Sequence, residues 1–151
     1  MKEFLLQRSV IVPGTIRDVF SFFADPANLE QLTPPWLHFT ILQASTPKTR
    51  EGTTITYRLR IHGIPLRWQS VIRNWDPPHS FVDEQVQGPY RSWHHTHNFV
   101  QLDRGVQVED LVRYSVPGGR LAHWLFIRRD LERIFDYRVA QLERIFAGDN
   151  P

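Results

Sequence analysis

The sequence predicts an α+β domain in which a curved antiparallel sheet of six or seven strands wraps around one long C-terminal helix. Three observations carry this. A strand-like segment followed by a short amphipathic stretch opens the chain. About six further strand-like segments then follow one another, most separated by turn residues. Finally, Arg120 to Phe146 contains neither Pro nor Gly and reads as a single amphipathic helix.

In order, Phe4 to Val12 is rich in apolar and β-branched residues and is ended by Pro13-Gly14. Thr15 and Asp18 have the spacing of a capping box with Asp in place of Glu, and Ile16, Val19, Phe20 and Phe23 recur at helical intervals. Asp25-Pro26 stops that helix, and Ala27 to Leu32 has room for one more short turn before Thr33-Pro34-Pro35 forces an extended path. The expected strands are then Leu37 to Gln43, Thr53 to Ile61, Leu66 to Trp75, Ser80 to Gln87, Ser92 to Leu102 and Val106 to Val116. Glu51-Gly52, His62-Gly63-Ile64-Pro65, Asp76-Pro77-Pro78, Gly88-Pro89 and Asp103-Arg104-Gly105 are short enough to join antiparallel neighbours, so a meander is expected. In Thr53 to Ile61 the apolar set Ile55, Tyr57, Leu59 and Ile61 alternates with Thr54, Thr56, Arg58 and Arg60, so one sheet face is wet. The last segment places Trp124, Leu131, Ile134, Phe135, Leu142, Ile145 and Phe146 on a stripe that must dock on something apolar.

Composition narrows the function. A chain of 151 residues fits one domain, 1–151, with one sizeable core. No run approaches the ~20 apolar residues of a membrane-spanning helix, and the charged N-terminus has no apolar leader, so the expected location is the cytoplasm. With no cysteine, thiol nucleophiles, zinc-thiolate sites and iron–sulfur clusters are excluded. The net charge of +2 comes from Lys and Arg interleaved with Asp and Glu, as in Arg128-Arg129-Asp130-Leu131-Glu132-Arg133, which argues against a nucleic-acid surface. No Gly-x-Ser-x-Gly or phosphate-binding Gly-rich loop is present.

The chemistry concentrates between Trp75 and Phe99. On Ser92 to Leu102, alternation sets Trp93, His95, His97 and Phe99 on one face, taken as inward. On the next strand Asp110 is the sole charge on a face with Val106, Val108, Val112, Tyr114 and Val116, and an inward carboxylate needs a partner. A tight turn at Arg104-Gly105 would bring His97 and Phe99 near Asp110 and His95 near Tyr114, although a one-residue slip would substitute Asn98. Asp110 with His97 can act as an acid–base pair or ligand anchor, or equally as a buried structural pair. His95 and His97 with Asp110 as third donor raise the question of a metal. The flanking aromatics leave little room, and neither metal nor cofactor is expected.

Trp36, Tyr57, Trp68, Phe81 and Tyr90 can wall a pocket or fill a core. The expected wall is Tyr57, Trp68, Phe81, Trp93, His95, His97, Phe99, Asp110, Tyr114 and Trp124, with Asp25 to Pro35 as an entrance gate and Arg67 and Arg73 facing solvent.

The order of elements, Val12-Pro13-Gly14-Thr15-Ile16-Arg17-Asp18-Val19-Phe20 leading to Asp25-Pro26-Ala27-Asn28-Leu29, Pro34-Pro35-Trp36, Trp75-Asp76-Pro77-Pro78, Gly88-Pro89-Tyr90, Trp93-x-His95-x-His97-x-Phe99 and Ile134-Phe135-Asp136-Tyr137-Arg138 together resemble the START/polyketide cyclase-dehydrase (SRPBCC, helix-grip, birch-pollen-allergen-like) superfamily. The resemblance spans nearly the whole chain. It implies a deep, mostly hydrophobic cavity for a lipid, quinone or polyketide-like molecule, and it supplies no catalytic residues to carry over. The expected function is non-catalytic binding, transport or sensing of a hydrophobic small molecule, with an aromatase/cyclase-type enzyme using a His/Asp pair as the alternative. A homodimer is compatible with the sequence but not specified by it.

Overall fold

The computed structural model describes residues 2–118, 121 and 126–147. Strand β1 (Phe4–Val12) leads into α1 (Ile16–Phe23), whose first turn is capped by Thr15 Oγ1 accepting from the Asp18 amide at 3.3 Å. A 3-10 turn at Pro26–Asn28 runs into the short α2 (Leu29–Leu32), and a second at Pro35–Leu37 precedes the sheet. The remaining strands are β2 (Thr40–Ala44), β3 (Thr54–Ile61), β4 (Ile64–Asp76), β5 (Ser80–Gln87), β6 (Ser92–Leu102) and β7 (Gly105–Ser115), and the chain then forms α3 (Arg128–Ala147).

The seven strands form one antiparallel sheet in the order β1-β7-β6-β5-β4-β3-β2. β2 to β7 are thus a meander, and β1 closes against the last strand. The β3–β4 hairpin turns on His62 and Gly63, both at positive φ (51° and 80°), the conformation that matches strand twist in a two-residue turn. Gly105 is required for a different reason. A Cβ there would lie 2.3 Å from the Val12 carbonyl oxygen, so only glycine lets β7 begin so close to the end of β1.

Boundaries move at two of the expected strands. The turn expected at His62-Gly63-Ile64-Pro65 is tighter, so that Ile61 pairs with Ile64 and β4 starts there rather than at Leu66. Leu37 belongs to a 3-10 turn and the strand starts at Thr40, because Pro34 and Pro35 set a tight turn that ends with His38 in the left-handed region. The described part of the long helix is regular from Arg128; residues 119, 120 and 122–125, which hold its expected start and Trp124, lie outside the described residues. No helix among the described residues is long and apolar enough to cross a membrane.

α3 lies alongside β1, where Arg8 Nε donates to Asp136 Oδ1 at 2.9 Å, and it meets α2 through Gln141 Nε2 donating to the Gln31 carbonyl at 2.8 Å. Its buried residues are Leu131, Phe135, Arg138 and Leu142, spaced to fall on one face. The interior holds two apolar clusters. One gathers Phe20, Phe23, Phe81, Phe99, Val108 and Leu142, among others, beneath α1; the other gathers Trp68, Trp93, Val112, Tyr114, Leu131 and Phe135 towards the opposite end. On each of β6, β7 and α3 the passage from one cluster to the other falls on polar side chains: His95 and His97, Asp110, and Arg138.

Candidate functional site

The polar side chains between the clusters meet at the wall of an internal cavity. Burial alternates along β6, with Trp93, His95, His97 and Phe99 buried and His94 and Thr96 less so, as the strand period requires. The β6–β7 register sets His97 opposite Asp110, and the β5–β6 register sets Phe81 opposite His97 and Asp83 opposite His95. Two rows therefore cross the sheet: Phe81, His97, Asp110 and, one pleat along, Asp83, His95, Val112.

The hydrogen bonds run diagonally between these rows. His95 Nε2 bonds Asp110 Oδ1 at 2.8 Å, and His97 Nε2 bonds Asp83 Oδ2 at 2.6 Å. Arg138 reaches in from α3, its Nε donating to Asp110 Oδ2 at 2.9 Å and its Nη2 to His97 Nδ1 at 3.3 Å. Since a guanidinium only donates, His97 Nδ1 accepts and its proton resides on Nε2, which donates to Asp83. The two imidazoles stack with centroids 3.8 Å apart, and the other face of His97 lies on the Phe81 ring at 4.2 Å.

Burial sets the charge states. It pushes the Asp110 carboxyl up, but Arg138, the bond from His95 and the neighbouring imidazoles override it and hold Asp110 well below the usual carboxylate range. Asp83 is lowered in the same way, burial being outweighed by His95, the bond from His97 and Arg138. Burial, reinforced by His95, pushes His97 down to about 4 although Asp83 works the other way, so its ring is neutral at pH 7. Burial, then the Asp83 charge, raises the Tyr57 hydroxyl well above its ordinary value, keeping it a neutral donor.

The cavity has a volume of about 170 Å³ and lies between β3 to β6, α3 and the segment around α2. Of the expected wall, Tyr57, Trp68, Phe81, Trp93, His95 and His97 line it, as does Tyr90. Phe99, Asp110 and Tyr114 do not. Phe99 is locked in the first cluster, 5.3 Å from Phe20 and 5.1 Å from Phe23 between ring centroids. Asp110 is covered by His95 and Arg138, and Tyr114 lies behind Trp93. Trp124 is outside the described residues. Trp36 sits on the surface, under the Arg133 guanidinium at 4.9 Å. Arg67 and Arg73 are exposed as expected. The stretch expected to gate the entrance contributes Pro26, Leu29, Leu32 and Thr33 to one wall.

The expected pairing of His97 with Asp110 is corrected. The two face each other in register, but His97 Nδ1 is 3.7 Å from Asp110 Oδ1, and each bonds another partner. Asp83 and Arg138, absent from the expected set, complete the group. Both left a signal: Asp83 is two residues from the inward Phe81, and Arg138 is the single charge in the series Leu131, Phe135, Arg138, Leu142.

No curated protein matches the chain closely enough in sequence to count as a relative. Solved structures share the fold at low identity. Protein Ms6760 from Mycobacterium smegmatis is 17% identical, with a TM-score of 0.72 over 93% of this chain and 89% of that one. The di-domain ARO/CYC StfQ of the steffimycin biosynthetic pathway is 11% identical, with a TM-score of 0.75 over 97% of this chain, which spans 52% of StfQ. The major latex-like protein 151 of Panax ginseng is 11% identical, with a TM-score of 0.71 over 95% and 97% of the two chains. The family model described as polyketide cyclase/dehydrase and lipid transport matches residues 12–143, from the end of β1 to the last turns of α3. The match takes in most of the sheet, the long helix and the residues around the cavity, and the chain belongs to the polyketide cyclase/dehydrase and lipid-transport family.

Proposed function

We propose that the protein binds an uncharged, ring-bearing hydrophobic molecule of the lipid, quinone or polyketide class in the internal cavity, and carries or senses it without transforming it. The observation that carries this reading is the composition of the cavity wall. Trp68, Trp93, Tyr57 and Tyr90 offer flat apolar faces, while the polar lining gathers at Asp83, His95, His97 and Arg138. Such a wall fits a molecule that is apolar over most of its length and carries one hydroxyl or carbonyl to set its orientation. In the metal-free site the carboxylates Asp83 and, behind it, Asp110 outnumber the Arg138 cation, which argues against a fatty-acid carboxylate there.

Native mass spectrometry of the purified full chain, followed by denaturing extraction, tests this. One retained hydrophobic molecule per chain is expected, or, for an emptied protein, saturable uptake of the neutral fluorophore N-phenyl-1-naphthylamine. Failure of both refutes the reading.

One observation favours a second reading as a cyclase-type enzyme. His97 carries an Nε2 proton on Asp83 at 2.6 Å, and both residues line the cavity. A neutral imidazole–carboxylate pair can exchange a proton with an enolisable carbonyl held against it. Under this reading His97→Gln and Asp83→Asn lose turnover of a polyketone while keeping fluorophore binding. Under the carrier reading there is no turnover to lose.

A further inference from the structure

His95 is held in a way that leaves an electrostatic problem beside Asp83. Its Nε2 faces Asp110, an acceptor-only carboxylate at 2.8 Å, so Nε2 carries a proton. On a neutral ring Nδ1 then presents a lone pair, and Nδ1 lies 3.3 Å from Asp83 Oδ2. Two acceptors facing at that distance repel unless a positive centre, either a second proton on His95 or a metal ion, sits between them. His97 Nε2 lies 2.6 Å from the same carboxylate oxygen, and one donor atom from each of the three residues lies within 4.8 Å of the other two.

We propose that Asp83 Oδ2, His95 Nδ1 and His97 Nε2 form a site for one divalent first-row transition-metal ion, Zn²⁺ being the type ion, open towards the cavity. Two imidazoles and one carboxylate select Zn²⁺, Co²⁺ or Ni²⁺ over Mg²⁺ or Ca²⁺, which take oxygen donors. Bonds of ~2.0–2.2 Å to nitrogen and oxygen place neighbouring donors roughly 3 Å apart; His95 Nδ1 is 3.3 Å from Asp83 Oδ2, and His97 Nε2, now hydrogen-bonded to that oxygen at 2.6 Å, has to move outward to admit an ion. The supporting residues are in place as well. Asp110 already orients His95 through the ring nitrogen that faces away from the ion, as a carboxylate behind a ligating histidine does. Ligation of His97 through Nε2 moves its proton to Nδ1, where Asp110 Oδ1, now 3.7 Å away, accepts it. Arg138 then releases Nδ1 and keeps its Nε bond to Asp110. The third donor weighed from the sequence was Asp110; the structure sets Asp83 in the donor position and Asp110 behind it.

The test uses the tag-free full chain, treated with chelator and titrated calorimetrically with Zn²⁺ and, separately, by visible absorption with Co²⁺. Uptake of one equivalent is expected. It should be lost in Asp83→Asn and His97→Gln and weakened about 10- to 100-fold in Asp110→Asn, with folding verified by circular dichroism. Imidazole ¹⁵N spectra of the wild type remove any dependence on the variants: one equivalent of Zn²⁺ should move the His97 proton from Nε2 to Nδ1. Absence of saturable uptake, uptake that Asp83→Asn leaves unchanged, or an unaltered His97 tautomer would each overturn the site, and a proton would then be the positive centre between His95 and Asp83. Fluorophore binding by the metal-free protein keeps this outcome separate from that of the carrier reading.

Discussion

The two apolar clusters are built from different rings. Beneath α1 the rings packed against one another are phenylalanines, Phe20, Phe23, Phe81 and Phe99, with Trp75 partly buried at their margin. Around the other end they are Trp68, Trp93, Tyr90 and Tyr114, each with a polar atom, together with Phe135. Rings without a polar atom can be surrounded on all sides, whereas an indole N–H or phenol O–H needs a partner. Trp68 Nε1, for example, donates to Ser70 Oγ at 3.0 Å. The phenylalanine end is packed except where Phe23 and Phe81 meet the cavity, and it serves stability. The tryptophan and tyrosine end can tolerate a void, and the cavity opens chiefly against it. The belt of His95, His97, Asp110 and Arg138, with Asp83, marks the border and is the part least able to lose a member.

Breaking the belt should therefore have the largest effect. Arg138→Leu leaves Asp110 buried without its cation and is expected to cost about 3–5 kcal/mol in urea denaturation, and an unchanged midpoint would detach the belt from the fold. Phe99→Ala, at the filled end, should cost about 3–5 kcal/mol through the hole it leaves. Because Phe99 does not line the cavity, fluorophore affinity of the folded fraction should hold within about twofold, and a collapse of binding would erase the distinction between the two ends.

Acid should act next. In chelator-treated protein, His97 takes a proton near pH 4 when folded but near 6.5 when unfolded, so the unfolded chain binds more protons as pH falls through that window. Stability should decline between about pH 6.5 and 4, by up to about 3 kcal/mol from this group, and the lowered Asp83 and Asp110 carry the loss further as they are protonated in turn. His97→Gln should flatten the upper part of that decline. The smallest change in stability belongs to the hollow end: Tyr57→Phe, which removes one hydroxyl paired with Ser70 from a residue that lines the cavity, should alter it by about 1 kcal/mol while shifting fluorophore affinity.

What local pattern encodes was legible. Strict alternation exposed the inward face Trp93, His95, His97, Phe99, whereas the register did not follow from the expected turn at Arg104-Gly105: the hairpin turns on Asp103-Arg104, which sets His97 opposite Asp110 and Trp93, not His95, opposite Tyr114. The need of Asp110 for a partner was also legible, but not the partner's identity. Arg138 lies 28 residues away on a helix crowded with arginines, and only docking reveals which of them points inward. Asp83 stands next to Glu84, and the sequence alone does not say which of two adjacent carboxylates enters the interior. Phe99 shares a strand face with the wall residues Trp93, His95 and His97, while the strand of Tyr114 contributes no residue to the cavity, and pattern alone does not say where the void ends and packing begins.

The central claim is that the hollow end receives an uncharged ring-bearing molecule. The most direct measurement follows the indole N–H signals of the folded protein during titration with N-phenyl-1-naphthylamine. Saturable one-to-one shifts of Trp68 and Trp93, which line the cavity, with Trp36 on the surface unmoved, are predicted. Shifts confined to Trp36, or no saturable shift at all, would contradict the account.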